Sequence, residues 1–167
     1  YVQFGPVSIT LALTPVVVGA CLYGPLGGLF LGLVQGALVI VAPSTLASFM
    51  PFSAPGTIIT CLLKSACAGL ASAFVFKLLS KKGTRLASIL AAMVAPIVNT
   101  GIFTIFAFTW FYPLINDYFA ASGEGNIVVW YLVAMVGINF IIEFFVNSLL
   151  SPVIQQTYEY FEKRNSK

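Results

Sequence analysis

Three long apolar stretches, at 57–79, 86–111 and 127–150, constrain the fold of this chain more than any other feature. Each reaches the length of about 20 residues that an α-helix needs to cross the hydrocarbon core of a bilayer. With 59% hydrophobic and only 8% charged residues, the composition lies outside the range of soluble domains. The sequence predicts an all-α, polytopic membrane helix bundle in which residues 1–167 form one membrane domain.

Two shorter apolar segments precede these stretches, at about 9–23 and 26–41, and Gly24 and Pro25 separate them because both residue types interrupt helices. The prediction is therefore five spans. The segments 42–56, with three prolines, and 112–126 are predicted to be loops without helix, and 151–167 an amphipathic tail.

The basic residues predict the orientation of the bundle. Lys77, Lys81, Lys82 and Arg85 flank one short turn, and Lys163, Arg164 and Lys167 lie in the tail. Both clusters are expected in the cytoplasm, with the C-terminus, so that 1–10, 42–56 and 112–126 lie outside. Anionic lipid headgroups account for clusters of this kind, and no continuous basic face indicates nucleic-acid binding.

The sequence offers little for catalysis. It has no histidine, and its cysteines, Cys21, Cys61 and Cys67, lie in apolar segments without metal-ligand spacing. No paired carboxylates and no phosphate-binding glycine loop occur. We therefore expect neither an enzyme nor a bound cofactor or metal, and any energy for uphill transport would come from a partner.

Lys64 lies in the middle of an apolar stretch, where a charge costs about 2.5–3.5 kcal/mol and usually has a function. Gln35, Asn99, Asn139, Glu143 and Asn147 are further polar residues within the spans. From the predicted helix ends, Gln35 and Lys64 lie about 10 Å deep, Asn99 and Asn139 about 18 Å, and Glu143 about 24 Å. These depths disfavour a Lys64–Glu143 ion pair and favour a ligand carboxylate as the partner of Lys64, whereas Asn147 is interpreted as a link between helices.

Small residues recur at four-residue spacing, which lines them along single helix faces. They are Gly24, Gly28, Gly32 and Gly36 on the second span, Ser65, Gly69 and Ala73 on the third, and Ala87, Ala91 and Ala95 on the fourth. Such faces allow close helix packing within the bundle. The alternative is that the second-span or third-span face docks a separate membrane partner.

Four short motifs resemble the substrate-binding S component of energy-coupling factor (ECF) vitamin transporters. They are FGPVSIT at 4–10, YGPLGG at 23–28, PIVNTG at 96–101 and GINFIIE at 137–143. The resemblance implies a six-helix fold of which this chain carries helices 2–6, with 1–10 and 42–56 as external lid loops. It also implies a membrane coupling (T) subunit and two cytoplasmic ATPase subunits as partners in a prokaryotic plasma membrane.

Carried onto this chain, the resemblance implies that a water-soluble vitamin is bound by Lys64, Asn99, Asn139, Glu143 and Gln35, with Phe49 and Phe52 of the lid loop above. Pantothenate is the expected vitamin because its carboxylate matches a lone lysine, and pyridoxine or hydroxymethylpyrimidine come next. The alternative function is a self-contained small-solute carrier or channel in which Lys64 and Glu143 serve gating or coupling.

Overall fold

The computed structural model describes the backbone of residues 2–4, 7–9, 13–120 and 125–165, and the side chains of 13–117 and 136–164. A short antiparallel hairpin, β1 (Val2–Phe4) and β2 (Val7–Ile9), pairs Val2 with Ile9 and precedes the helices. The helices are α1 (Leu13–Ile40), α2 (Pro43–Ser48), α3 (Ala54–Leu79), α4 (Thr84–Phe106), α5 (Tyr112–Ala120), α6 (Gly125–Leu149) and α7 (Ser151–Asn165). A 3₁₀ turn (Ser80–Lys82) joins α3 to α4, and a π-helical segment (Ala107–Phe111) joins α4 to α5.

Helix α1 consists of two segments, 13–23 and 25–40, that meet at Gly24. Gly24 has φ 71° and ψ −159°, a left-handed conformation that favours glycine, and Pro25 begins the second segment. Gly19 directly faces the Leu31 side chain, although these residues would be about 18 Å apart on a straight helix. The chain therefore folds back on itself at the Gly24–Pro25 break.

The second segment of α1 packs tightly and antiparallel against α3. Gly28 faces Gly69, Gly32 faces Ser65, and Gly36 faces Cys61. A Cβ atom on Gly32 would lie 2.8 Å from the Ala66 Cα atom, which is closer than side chains tolerate. Ser65, Gly69 and Ala73 are buried too. From Gly28 to Gly36, the small-residue face of the second segment of α1 is thus covered by α3, whereas a Cβ atom at Gly24 would meet nothing within 4 Å.

Helices α3 and α4 are joined by small side chains in the halves nearer to the turn at Ser80–Lys82. The Ser72 hydroxyl lies 2.9 Å from the Ala68 carbonyl oxygen of its own helix and 3.1 Å from the Ala91 carbonyl oxygen on α4. Around this link is a fully apolar cluster whose buried members are Val17, Cys21, Phe76, Ala87, Ala91, Ala92, Ala95 and Ile154. The alanines allow the two backbones to approach closely.

Helix α7 continues along the bundle instead of leaving it as a free tail. It bends 42° from the second half of α6, buries Ile154 completely, and brings the Tyr158 ring to 4.7 Å from Phe76. This contact places α7 beside the turn at Ser80–Lys82. The two basic clusters consequently lie at the same end of the molecule, which we call the basic end. The opposite end, at Phe49 and Phe111, is the aromatic end.

Both segments predicted to be loops contain helix. In 42–56, Pro43 occupies the first turn of α2, where a proline costs no hydrogen bond, and Ser53 caps α3 by accepting the Gly56 amide at 3.2 Å. In 112–126, the helical chain continues from α4 to Ala120, because the π-helical segment bridges the expected end at Phe111. The prediction of loops without helix was wrong at both places, and residues 121–124 lie outside the described residues.

Within the described residues, three helices are long and apolar enough to cross a membrane: Leu13–Ile40, Ala54–Lys82 and Thr84–Asp117. The bent pair Val136–Leu149 and Ser151–Arg164 meets the same test as one broken span. The fold class predicted from the sequence, an all-α polytopic membrane bundle, is confirmed.

Candidate functional site

Lys64 lies near the middle of α3, half-buried, with its Nζ atom 4.9 Å from the centre of the Phe103 ring on α4. A cation over an aromatic face gains about 0.5–2 kcal/mol, and the larger value applies where water is excluded. A charge at this depth costs about 2.5–3.5 kcal/mol. The ring therefore offsets only part of the cost of burying the ammonium group.

The register of α3 and α4 places Lys64 and Asn99 at the same height. Ser72 contacts Ala91, Lys64 precedes Ser72 by eight residues, and Asn99 follows Ala91 by eight. Both residues therefore lie about 12 Å from this contact, toward the aromatic end. Lysine side chains lean toward the N-terminus of their own helix, which explains why Lys64 reaches Phe103, one turn beyond Asn99.

Asn99 is 5% exposed, and its Nδ2 atom donates to Glu143 Oε2 on α6 over 3.4 Å. This long hydrogen bond means that Glu143 and Asn99 are also close in height. The separation of about 14 Å between Lys64 and Glu143 that the sequence predicted is corrected accordingly. It was counted from predicted outer helix ends at Thr57 and Ile127, taken to lie at one level, and the Asn99–Glu143 contact shows that these two ends lie at different levels.

Gln35 and Asn139 complete the predicted polar set. Gln35 is 4% exposed on α1, and the Gly36–Cys61 contact puts it within about one turn of Lys64 in height. Asn139 lies one turn before Glu143 on α6. The oxygen atoms of three side-chain amides, those of Gln35, Asn99 and Asn139, are buried and accept no hydrogen bond within the described part of the chain.

Phe49 belongs to an aromatic cluster that begins at Phe103, the ring beneath Lys64. Its ring centre is 5.5 Å from that of Phe103 and 5.2 Å from that of Phe111, both in edge-on geometry. Phe52 and Ile115 pack against the same cluster. The loop between α1 and α3 is thus held over the site by rings from α4 and the π-helical segment.

The π-helical segment explains how Phe103 and Phe111 both reach Phe49. Eight residues turn a regular α-helix by two turns and about 80°, so the two rings would point in clearly different directions. A π-turn accommodates one additional residue and takes back about 100°, which leaves the rings about 20° apart. Phe103 and Phe111 were not predicted from the sequence, because aromatic residues in an apolar span resemble lipid-facing ones, although their spacing from Asn99 was a usable signal.

Asn147 has a structural role, as the sequence predicted. Its Oδ1 atom accepts from Thr14 Oγ1 at 3.0 Å, and its Nδ2 atom donates to the Glu143 carbonyl oxygen at 2.8 Å. Both ends of this fully buried amide are therefore used: the oxygen links α6 to α1, and the nitrogen bonds within α6 itself. Asn147 thus differs from Gln35, Asn99 and Asn139, whose amide oxygens accept no hydrogen bond from the described residues.

The family profile described as "ECF transporter, substrate-specific component" matches residues 1–155. The chain belongs to this family. Comparison with curated proteins and with solved structures finds no match. The chain is therefore a multi-pass membrane protein and the substrate-binding subunit of an ECF transporter, not an enzyme, and it associates with other components of that transporter. Among the described residues, no group of three His, Cys, Asp or Glu side chains could hold a metal ion.

Proposed function

We propose that this S component binds pantothenate, an anionic water-soluble vitamin, at the level of Lys64. The observation that carries the proposal is the Lys64 ammonium group 4.9 Å from the centre of the Phe103 ring, deep in a membrane helix. The ring supplies part of the compensation for the charge, and a ligand carboxylate would supply the rest through a charge-assisted hydrogen bond.

The remaining site residues fit the other parts of such a ligand. Gln35, Asn99 and Asn139 offer amide oxygens to its hydroxyl and amide groups, Glu143 lies beside Asn99, and Phe49 and Phe52 cover the site from the loop between α1 and α3. Pyridoxine and hydroxymethylpyrimidine also carry hydroxyl donors and are the next candidates. Both lack the carboxylate that would make full use of Lys64.

The proposed partners are a membrane coupling subunit and two cytoplasmic ATPase subunits in a prokaryotic plasma membrane. The basic end carries the exposed Lys77, Lys81, Lys82, Arg85, Lys163 and Arg164, and positive charge favours the cytoplasmic side. This supports a cytoplasmic C-terminus, with the aromatic end receiving the vitamin from outside. Flux of pantothenate through the reconstituted chain alone, without ATPase partners, would contradict this assignment.

The substitution Lys64→Met tests the substrate. We expect it to weaken pantothenate binding by about 100-fold or more, because one partner of a buried charge pair is lost, and to leave the binding of pantothenol, its neutral alcohol analogue, nearly unchanged. Isothermal titration calorimetry in detergent would measure both ligands. Lys77→Met, at the exposed basic end, is the matched control and should alter neither affinity.

Mass spectrometry of ligand released from the purified protein provides an independent check. Pantothenate in the released fraction would support the proposal. Pyridoxine or hydroxymethylpyrimidine in that fraction would instead identify that compound as the substrate. An equal loss of affinity for pantothenate and pantothenol in Lys64→Met would show that Lys64 is structural.

A further inference from the structure

Two amides in the site are more than nine-tenths buried, and each has a buried oxygen that accepts no hydrogen bond from the described residues. They are Gln35 and Asn99, at 4% and 5% exposure. Leaving a buried acceptor unsatisfied costs about 1–3 kcal/mol. Asn139 presents a third oxygen of this kind from α6. All three atoms can accept hydrogen bonds but cannot donate them.

The Asn99–Glu143 contact determines which end of the Asn99 amide is presented. The Nδ2 atom donates to Glu143 Oε2, so the Oδ1 atom at the other end of the amide points away from this oxygen. Because Glu143 Oε2 accepts in this contact, the Asn99 amide is held with its nitrogen toward the carboxyl group. Glu143 thus controls the hydrogen-bonding character of its neighbour.

We infer that Glu143 is a positioning residue that acts through Asn99, so that the site selects a substrate bearing a hydroxyl or amide donor near its carboxylate. This inference rests on the proposed function, since it assumes that the substrate enters at the level of Lys64. Lys64 holds the anionic group, and Asn99 Oδ1, with Gln35 and Asn139, accepts from the donors. Pantothenate has two hydroxyl groups and one amide N–H, which matches three acceptors.

A Glu143→Gln substitution isolates this role because it preserves size and keeps an acceptor. The new side chain also has an N–H group that can donate to Asn99 Oδ1, so that Asn99 can turn and present its nitrogen to the substrate. Asn99→Leu removes the acceptor itself at similar volume. The two variants change the same property in different ways, and either one suffices if the other does not fold.

The experiment measures the affinity ratio between pantothenate and its two mono-O-methyl ethers, in which one donor is lost at a time. We expect wild-type protein to prefer pantothenate by about tenfold over at least one ether. In Asn99→Leu this preference should fall to about onefold, and in Glu143→Gln to about threefold or less. Thr157→Val, which removes an exposed hydroxyl bonded to its own helix α7, is the control and should keep the wild-type ratio.

The ratio distinguishes positioning from a structural role. A structural defect lowers the affinity for pantothenate and for its ethers together and leaves the ratio unchanged, and that result would overturn the inference while the proposed substrate stands. If wild-type protein binds pyridoxine in preference to pantothenate, the proposed substrate fails, and the same ratio measured with pyridoxine and its O-methyl ethers decides the inference. Binding of none of these ligands would overturn both.

Discussion

The two halves of the α3–α4 pair, an inner half toward the basic end and an outer half toward the aromatic end, differ in how their polar groups are satisfied. In the inner half, alanines pack against one another and the Ser72 hydroxyl is bonded within the bundle. In the outer half, Lys64 lies over an aromatic ring, and the Asn99 Oδ1 atom accepts no hydrogen bond from the described residues. The same two helices therefore provide a satisfied, closely packed region and, about 12 Å away, a polar region with unused hydrogen-bonding capacity.

This difference implies that stability and binding can be altered separately. Ligand sites carry unsatisfied polar groups that cost stability, and such a cost has to be offset by good packing elsewhere. In this S component the packing is supplied at the basic end, where α7 covers Ala87 and Ala91. Substitutions in the two halves should consequently change different measured quantities.

The largest expected effect comes from overfilling the inner half. Ala91→Leu places a large side chain where α3, α4 and α7 meet without free space, and it should lower the free energy of unfolding by about 3 kcal/mol. Thermal unfolding in detergent, followed by circular dichroism, would detect this change. Ala37→Leu, at an exposed position of α1, is the control, and equal melting temperatures in both variants would contradict the described packing.

A smaller effect is expected when the outer half loses an aromatic contact. Phe49→Leu keeps an apolar side chain but removes two edge-on ring contacts, each worth about 0.5–1.5 kcal/mol. The ligand should dissociate about tenfold faster, which stopped-flow measurements can follow, while the melting temperature falls less than in Ala91→Leu. Phe74→Leu, an exposed phenylalanine on α3, provides the comparison. Unchanged dissociation in Phe49→Leu would show that this ring does not retain the ligand.

The smallest expected effect concerns the polar link of the inner half. Ser72→Ala removes the hydroxyl that bonds α3 to the Ala91 carbonyl oxygen, and it should cost about 1 kcal/mol of stability without altering ligand affinity. Ser80→Ala, an exposed hydroxyl at the helix end, is the control. A change in affinity as large as the change in stability would mean that the two halves are coupled.

Much of the fold follows from the sequence because bilayer physics requires long apolar helices. The 57–79 stretch corresponds to α3, and the Gly24–Pro25 pair marks the reversal in α1. The polar set could also be selected, since buried amides and charges are rare in spans. The relative heights of these polar residues along the bundle could not be predicted, because each residue of error in a helix end moves a side chain by about 1.5 Å.

Other features had no local signal in the sequence. Tyr112 and Pro113 resemble the end of a span, yet the helical chain continues to Ala120 through the π-helical segment. Tertiary packing of Phe111 against Phe49 favours this continuation, and no propensity scale contains such a contact. The short helix α2 was not predicted either, because the three prolines in 42–56 indicate a loop.

The π-helical segment also rotates the helical turns that follow it relative to the turns of α4 that precede it. Deleting one residue from it would restore a regular helix and turn Phe111 and α5 by about 100° relative to Phe103, while the alanine contacts of α4 stayed in register. A length change of one residue in this segment would thus replace the ring that packs on Phe49 while the alanine-lined turns of α4 kept their contacts.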